Sequence, residues 1–477
     1  MKGGLVVCGT ASDVGKSWLV AGLCRVLARR GISVAPFKAQ NMSLNAAVTA
    51  DGAEIGHAQW VQALAAGIEP EARMNPVLLK PAGDHASQVV VLGRAVGELP
   101  AAAYLEMTDD LRGTVLDALA DLRRRFDVVV CEGAGGAAEI NLLDRDLANL
   151  PLAAAARLPA IVVGDIERGG VFASLLGTVA LLPDDLRHWV RGFVVNRFRG
   201  DPALLAGGFE ELERRCGVPT LGVVPVVDGT DIDAEDSLAL DRWSTSAPPG
   251  GLDVAVVRFP HVANFGDIDP LRLEPGVAVR WVRAAAELGR PHLVVLPGSK
   301  ATRADLAWFR TSGLAGAVAA SGAPVVAICA GAQMAGDRID DPAGVEGPAG
   351  SADGLGWLPL ATTFEADKVL DRPAGAVVAG PGAGETVRGY RIHHGRIRPG
   401  PGARTWLATG GGAALGWHGD GILATTVHGL FENDGLRAAV LAWAAARAGV
   451  AAPAPSRVSF AAARQARLDR IADAVEA

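Results

Sequence analysis

The chain has 477 residues, half of them apolar and 20% charged, with a formal net charge of −7. At roughly 100–200 residues per domain this is a globular protein of two or three domains with a large core. No block of Lys and Arg stands out, so nucleic-acid binding is not indicated. No apolar run reaches the length of about 18 residues that reads as a membrane span. The opening MKGGLVVCGT turns Gly-rich before a secretory core can form. The five cysteines are scattered without CxxC spacing, which predicts neither a disulfide framework nor a zinc site. A reducing cytoplasm is the expected setting.

In chain order, LVVCG (5–9) is the first predicted strand, and a helix runs from Lys16 to Arg30. Between them lies GTASDVGKS (9–17), the pattern of a phosphate-binding loop with Gly9 one residue further back than usual and Thr10 in the common glycine place. Backbone N–H groups from Gly9, Thr10, Asp13 and Gly15, with the helix N-terminus behind them, suit a triphosphate. Lys16 would neutralise phosphate charge, and the Ser17 hydroxyl would ligate Mg²⁺. ATP and Mg²⁺ are therefore the predicted cofactors. This variant spacing resembles the dethiobiotin-synthetase-like branch of P-loop proteins, which activate carboxylates as acyl phosphates.

ISVAPFK (32–38), DVVVCEG (127–133), AIVVGD (160–165) and GFVVNRF (192–198) are further strand candidates. Continuous apolar runs ending in Gly, Asp or Asn predict a parallel sheet buried on both faces. Glu132, at one strand tip, can act as a Walker-B-type acid toward Mg²⁺. Asp51 and Glu54 are further acidic candidates, and one or two of the three suffice. Asn196, at another strand tip, is placed to read an adenine edge or to cap a turn.

WSTSAPPGGL (243–252) reads as a linker. The predicted organisation is a nucleotide domain over 1–243, a linker over 244–252, a second α/β domain over 253–447 and a helical extension over 448–477. Residues 435–448 and 456–477 read as helices. The second domain restarts with DVAVVRF (253–259), HLVVLPG (292–298) and PVVAICAG (324–331).

Cys329 ends an apolar run and is followed at once by small residues and a helical stretch. That is the pattern of a nucleophile on a tight elbow, where a helix N-terminus lowers the thiol pKa; an inert buried thiol is the alternative. His428, in TTVHGLFEND (425–434), suits the base. A Cys–His pair hydrolyses an amide through a thioester, and glutamine is the natural amide. The acid expected two residues after the histidine is missing, since position 430 is Leu. Glu432 is a substitute, unless a carbonyl or another group orients the ring. His393 and His394 line a substrate surface or form a solvated pair.

Stretches across residues 3–445 resemble the cobyric acid synthase family: GTASDVGKS, APFKAQNMSLN (35–45), DGAEIGHAQWVQA (51–63), CEGAGGAAEINL (131–142), GDIERGGVFAS (164–174), AEDSLAL (234–240), LPGSKAT (296–302), AICAGAQMAG (327–336), GYRIHHGR (389–396) and VHGLF (427–431). The resemblance implies an N-terminal P-loop, dethiobiotin-synthetase-like parallel-sheet domain and a C-terminal class-I, triad-type glutamine amidotransferase-like α/β domain. It implies amidation of the b, d, e and g carboxylates of adenosylcobyrinic acid a,c-diamide, with ATP and with ammonia from glutamine. Cys329 would be the nucleophile and His428 its base. Gln40, Asn41, Asn45, Asn141 and Arg168 are the expected corrinoid contacts, with Arg197 and Arg199 as further cationic candidates, and Gln333 is a further substrate contact. An oligomer is possible, and neither nucleic acid nor membrane is an expected partner. The family commonly reads CGGYQ where this chain has Cys329-Ala330-Gly331-Ala332-Gln333. Two rival readings are the sister enzyme that makes the a,c-diamide and a P-loop switch ATPase, which would not need Cys329 and His428.

Overall fold

The computed structural model describes residues 2–81, 86–230 and 251–477. The stretch AEDSLAL, the end of the first predicted domain and positions 244–250 of the predicted linker lie outside the described residues.

The first domain is built on a six-stranded parallel sheet. Its strands run in the spatial order Thr220–Pro225, Val190–Phe198, Ala160–Asp165, Gly3–Gly9, Val128–Glu132 and Val34–Phe37. Side chains alternate between faces, and both faces are covered: Val6 and Cys8 enter one apolar cluster while Val7 enters the other. This double burial is why the strands read as unbroken apolar runs. The register sets Val7 beside Glu132 and Asp165 beside Asn196, so the carboxyl ends of four strands meet at one edge of the sheet. Ligands of open α/β sheets bind at that edge.

Predicted strands therefore lie where expected. The additions are a small sheet of Gln40–Met42, Val77–Pro81, Ala86–Val91 and Arg94–Pro100, and a two-stranded ribbon of Ala46–Val48 and Glu54–Gly56.

The second domain carries a nine-stranded sheet. Five neighbouring strands are parallel: Val277–Val282, Leu252–Val257, Leu293–Leu296, Val325–Ile328 and Ile422–Thr425. The remaining four, between Ala374 and Gly419, extend it antiparallel. The strand at Leu252 begins within the predicted linker.

The helix Asp434–Ala448 agrees with the sequence. The last helix is shorter than predicted and spans Phe460–Glu476, because the Ser459 side chain accepts from the Ala462 N–H and sets its start. Its first turns stay tied to the second domain, where the Phe460 N–H donates to Asp434 at 2.9 Å and Arg464 pairs with Glu432 at 2.8 Å. It also packs on the helix Lys16–Arg29 of the first, where Arg25 pairs with Asp469 at 2.8 Å and Arg29 with Asp473 at 2.6 Å. No helix of the described residues is long and apolar enough to cross a membrane.

Candidate active sites

Two sites emerge, one in each domain. In the first, the chain leaves the strand Gly3–Gly9 and turns through Asp13 (φ 57°) and Gly15 (φ 94°) into the helix Lys16–Arg29. A Cβ on Gly15 would lie 2.0 Å from Nδ2 of Asn196, so the position admits only glycine. Asn196 donates that amide to the Val14 carbonyl at 2.8 Å. It braces the loop with one of the two N–H groups of its amide. Lys16 is buried and donates to the carbonyls of Ala11 (2.9 Å) and Gly135 (2.8 Å), poised over the loop.

Glu132 is fully buried at the loop mouth. Its Oε1 accepts from the Ser17 hydroxyl and from Lys38, each at 2.7 Å, and its Oε2 accepts from Gln62 at 2.5 Å. Ser17 and Glu132 thus come together as predicted. Lys38 and Gln62 were missed as members of this cluster, although both stand in segments that carry the family resemblance. An oxygen-only pair of hydroxyl and carboxylate fits Mg²⁺, which takes few protein oxygens beside phosphate and water. Among the described residues no three His, Cys, Asp or Glu side chains cluster as a metal site.

The other acidic candidates do not join them. Asp51 is exposed and accepts from the neighbouring Thr49 hydroxyl. Glu54 is buried against the second domain, with its two oxygens on Lys80 (2.7 Å) and Lys368 (2.6 Å). Two of the expected corrinoid contacts are internal. Asn41 is buried and donates to Gln59 at 2.8 Å. Asn45 accepts from the Phe265 N–H at 3.1 Å across the domain boundary, and Asn264 accepts from the Ala46 N–H in return at 3.0 Å. Gln40 accepts from the Tyr104 hydroxyl at 2.6 Å. Asn141 and Arg168 remain exposed, Arg168 lying 3.6 Å from Asp13. Arg197 pairs with Asp13 and Asp165, and exposed Arg199 lies 3.7 Å from Glu167.

In the second domain Cys329 ends the strand Val325–Ile328 with φ 53° and ψ −107°. A non-glycine residue at positive φ is strained, and here the strain turns the thiol out of the sheet. Gly331 must be glycine, because a Cβ would lie 2.3 Å from the Leu296 carbonyl. Ala330 and Ala332 are buried without disturbing the elbow. Gln333 is buried beside the same pocket and accepts from the Thr302 hydroxyl at 3.3 Å.

His428 follows the adjacent strand Ile422–Thr425 and stacks on Tyr390 with ring centroids 5.3 Å apart. Its Nδ1–H donates to Oδ2 of Asp267 at 2.7 Å, and the other oxygen of Asp267 accepts from the Gly429 N–H at 2.7 Å. This fixes the tautomer and directs Nε2 to Cys329. Burial opposes charge on the ring, but Asp267 first and Cys329 second outweigh it and raise its pKa to about 10. His428 is thus held by Asp267 and favoured in its charged form, and its Nε2 is left without a hydrogen-bond partner among the described residues, in the pocket that it and Cys329 both line. By contrast, burial pushes the thiols of Cys8, Cys24 and Cys131 up, and these remain inert. All five cysteines are free.

Asp267 is the residue sequence reasoning missed. It lies 161 positions before His428, in NFGDIDPL, whereas the acid was sought just after the histidine. Glu432 is not the substitute: Arg464 holds it at 2.8 Å. His393 and His394 are buried beside the thiol's pocket, not solvated.

A nucleophile elbow with a Cys–His–Asp relay, joined to a P-loop sheet, defines a glutamine amidotransferase fused to a nucleotide-binding domain. Comparison with known families agrees: residues 253–436 match the CobB/CobQ-like glutamine amidotransferase domain and residues 5–237 the CobQ/CobB/MinD/ParA nucleotide-binding domain. The chain is 52% identical to the cobyric acid synthase of Nocardia farcinica over 100% of its own length and 95% of the relative's. It is 50% identical to that of Frankia casuarinae (100% and 94%) and 49% identical to that of Streptomyces coelicolor (100% and 94%). The chain belongs to the cobyric acid synthase family, whose members are glutamine-dependent carbon–nitrogen ligases.

Proposed function

We propose that this enzyme amidates the b, d, e and g side-chain carboxylates of adenosylcobyrinic acid a,c-diamide, using ATP for activation and glutamine for nitrogen. The observation that carries the reading is the pairing, in one chain of this family, of the Cys329–His428–Asp267 relay with the Lys16–Ser17–Glu132 cluster.

The loop amides and Lys16 hold the triphosphate and offset charge on the γ-phosphoryl group while a corrinoid carboxylate oxygen attacks it and displaces ADP; ammonia then displaces inorganic phosphate from the acyl phosphate to give the amide. Ser17 and Glu132 would hold Mg²⁺, which supplies charge neutralisation at the phosphate oxygens. Exposed Asn141, Arg168 and Arg199 and half-buried Gln40 are candidates for the corrinoid. In the second domain Cys329 attacks the glutamine carboxamide, His428 gives its proton to the departing ammonia, and water then hydrolyses the glutamyl thioester to release glutamate and restore the thiol.

Ammonia must reach the acyl phosphate without being protonated or lost. A cavity of about 370 Å³ between the domains supports such a route. It is bounded by Ala47, Val48 and Trp60 on one side and by Tyr390 and Gly429, next to His428, on the other. The helix His57–Ala66 carries Trp60 into this cavity and Gln62 onto Glu132, so one helix spans the distance to the loop.

The test is a time series of product masses with the diamide, ATP and glutamine. Stepwise gain of amide groups on the diamide is the expected result. Amidation of the a and c positions of cobyrinic acid, with the diamide untouched, would assign the sister reaction instead.

A further inference from the structure

The pocket in front of Cys329 is not formed by its own domain alone. Lys80 and Gln88 belong to the nucleotide-binding domain, yet they line it together with Lys300, Lys368 and His393. Glu54 pins the arrangement, accepting from Lys80 on one oxygen and from Lys368 on the other, with all three side chains at most 8% exposed. Lys368 also donates to Oε1 of Gln88 at 3.0 Å, so the amide nitrogen of Gln88 faces Nε2 of His394 at 3.3 Å. His394 donates its Nδ1–H to the Glu365 carbonyl at 3.1 Å and is therefore a neutral acceptor for Gln88. Every orientation in this network is determined by its neighbour.

The charges do not cancel. Glu54 stays ionised: its burial is outweighed by the two lysines, which bring its pKa to about 2. Burial raises the pKa of Glu346, the other carboxylate of the pocket, toward the neutral form. Lys80 and Lys368 share the single carboxylate of Glu54, and Lys300 lines the same pocket, so ammonium groups outnumber the carboxylate they share beside the nucleophile; burial lowers the pKa of Lys368 to about 8, the mark of a cation short of counter-charge. Buried excess charge demands a counter-charge, and a substrate is the natural source. His393 adds the complementary feature. Its Nδ1–H donates to the Gly395 carbonyl at 2.7 Å, which leaves Nε2 as a buried acceptor with no hydrogen-bond partner among the described residues. Cations for a carboxylate and an acceptor for an ammonium are what an α-amino acid requires. The open space between them is about 30 Å³, room for one or two waters, so these side chains must part as a substrate enters.

We infer that Lys80 and Lys368, held by Glu54, bind the α-carboxylate of glutamine, so that the nucleotide-binding domain supplies part of the glutaminase site. This rests on the reading of Cys329 as the glutaminase nucleophile. Glutamine hydrolysis is then competent only when the two domains are docked, which ties nitrogen release to the domain that consumes it.

The experiment compares glutamine with 4-aminobutanamide, the same amide lacking the α-carboxylate, as glutaminase substrates of the full-length enzyme. Lys80→Met should raise the KM for glutamine by about 10- to 100-fold, the range for losing a hydrogen bond to a charged group, with little change in kcat. Turnover of 4-aminobutanamide should fall far less than that of glutamine. Lys80→Arg keeps the charge and should recover most of the glutamine affinity. An unaltered glutamine KM in Lys80→Met overturns the inference. So does an equal loss for both amides in Lys80→Met and Lys80→Arg, which would mark Lys80 as purely structural. Failure of the nucleophile assignment would look different: Cys329→Ser would still hydrolyse glutamine.

Discussion

Asp267 holds His428 from two directions, accepting from its Nδ1–H at 2.7 Å and from the N–H of the next residue, Gly429, at 2.7 Å. The ring can neither turn nor exchange tautomer without breaking a charge-assisted bond. Asp267→Asn should therefore lower glutamine-dependent kcat by about 10³- to 10⁴-fold, the scale on which a wrongly held imidazole disables such a relay. The pH profile carries the sign. Asp267 raises the pKa of His428, so the alkaline limb of glutaminase activity falls near pH 10 in the parent. Loss of the carboxylate lets burial dominate and moves that limb to lower pH. Stability follows the same linkage. A raised histidine pKa contributes fully below the unfolded value of about 6.5 and is lost as pH rises through the folded one. The pH dependence of Tm between neutral and strongly alkaline conditions should flatten in Asp267→Asn.

Cys329→Ser should abolish glutamine-driven amidation and spare amidation driven by added ammonium salt, measured by product mass with each nitrogen source. Loss of both together would show that the thiol does more than release ammonia.

Gly15→Ala gives the opposite dissection. The new methyl would meet Asn196 Nδ2 at 2.0 Å, at a φ of 94° that alanine resists. The loop cannot keep its shape, so ATP-dependent amidation should fall with either nitrogen source while glutaminase activity persists.

The sheets and the nucleophile were legible because their signals are local. A strand buried on both faces reads as an unbroken apolar run, as at Val128–Glu132, and a phosphate loop is written in nine consecutive residues. The third member of the relay was not legible for the opposite reason. Asp267 reaches His428 only through the tertiary fold, and NFGDIDPL has no periodicity that marks an acid for catalysis. Asn45 and Glu54 illustrate the same limit. Both sit in motifs specific to the family, and a polar residue in such a motif invites a ligand assignment. Each is instead spent on the other domain, Asn45 on Phe265 and Glu54 on Lys368.

That reassignment of Asn45 has a functional consequence. The reciprocal bonds Phe265 N–H to Asn45 and Ala46 N–H to Asn264 fix the turn from which the helix Phe265–Leu273 departs, and Asp267 stands on that helix. Asn45→Ala, made in the nucleotide-binding domain, should lower glutaminase kcat by up to about 10²-fold, as small displacements of a catalytic group do. Its pH profile should shift in the same direction as that of Asp267→Asn. A loss confined to corrinoid KM would instead restore Asn45 to the substrate surface.

The C-terminal helix offers the last test, because it follows the second domain in sequence and packs on both domains. Leu468, Ile471 and Ala472 are buried, and Gly22 approaches Val475 so closely that a methyl there would lie 2.7 Å from it. At the near end, Arg464 holds Glu432 at 2.8 Å and lies over the ring of Trp60 at 5.1 Å, joining a residue beside His428's loop to one that lines the interdomain cavity. Removal of residues 456–477 strips an apolar face from the helix Lys16–Arg29 and should lower Tm and promote aggregation. Arg464→Ala is the finer probe. It keeps the helix but releases the clamp across the cavity, so ammonia should escape before it is used. Glutamine hydrolysed per amide formed should then rise above parity, while ammonia-driven amidation keeps its rate. A ratio that stays at parity would mean that Arg464 does not guard the path of ammonia and that the helix serves only to hold the domains together.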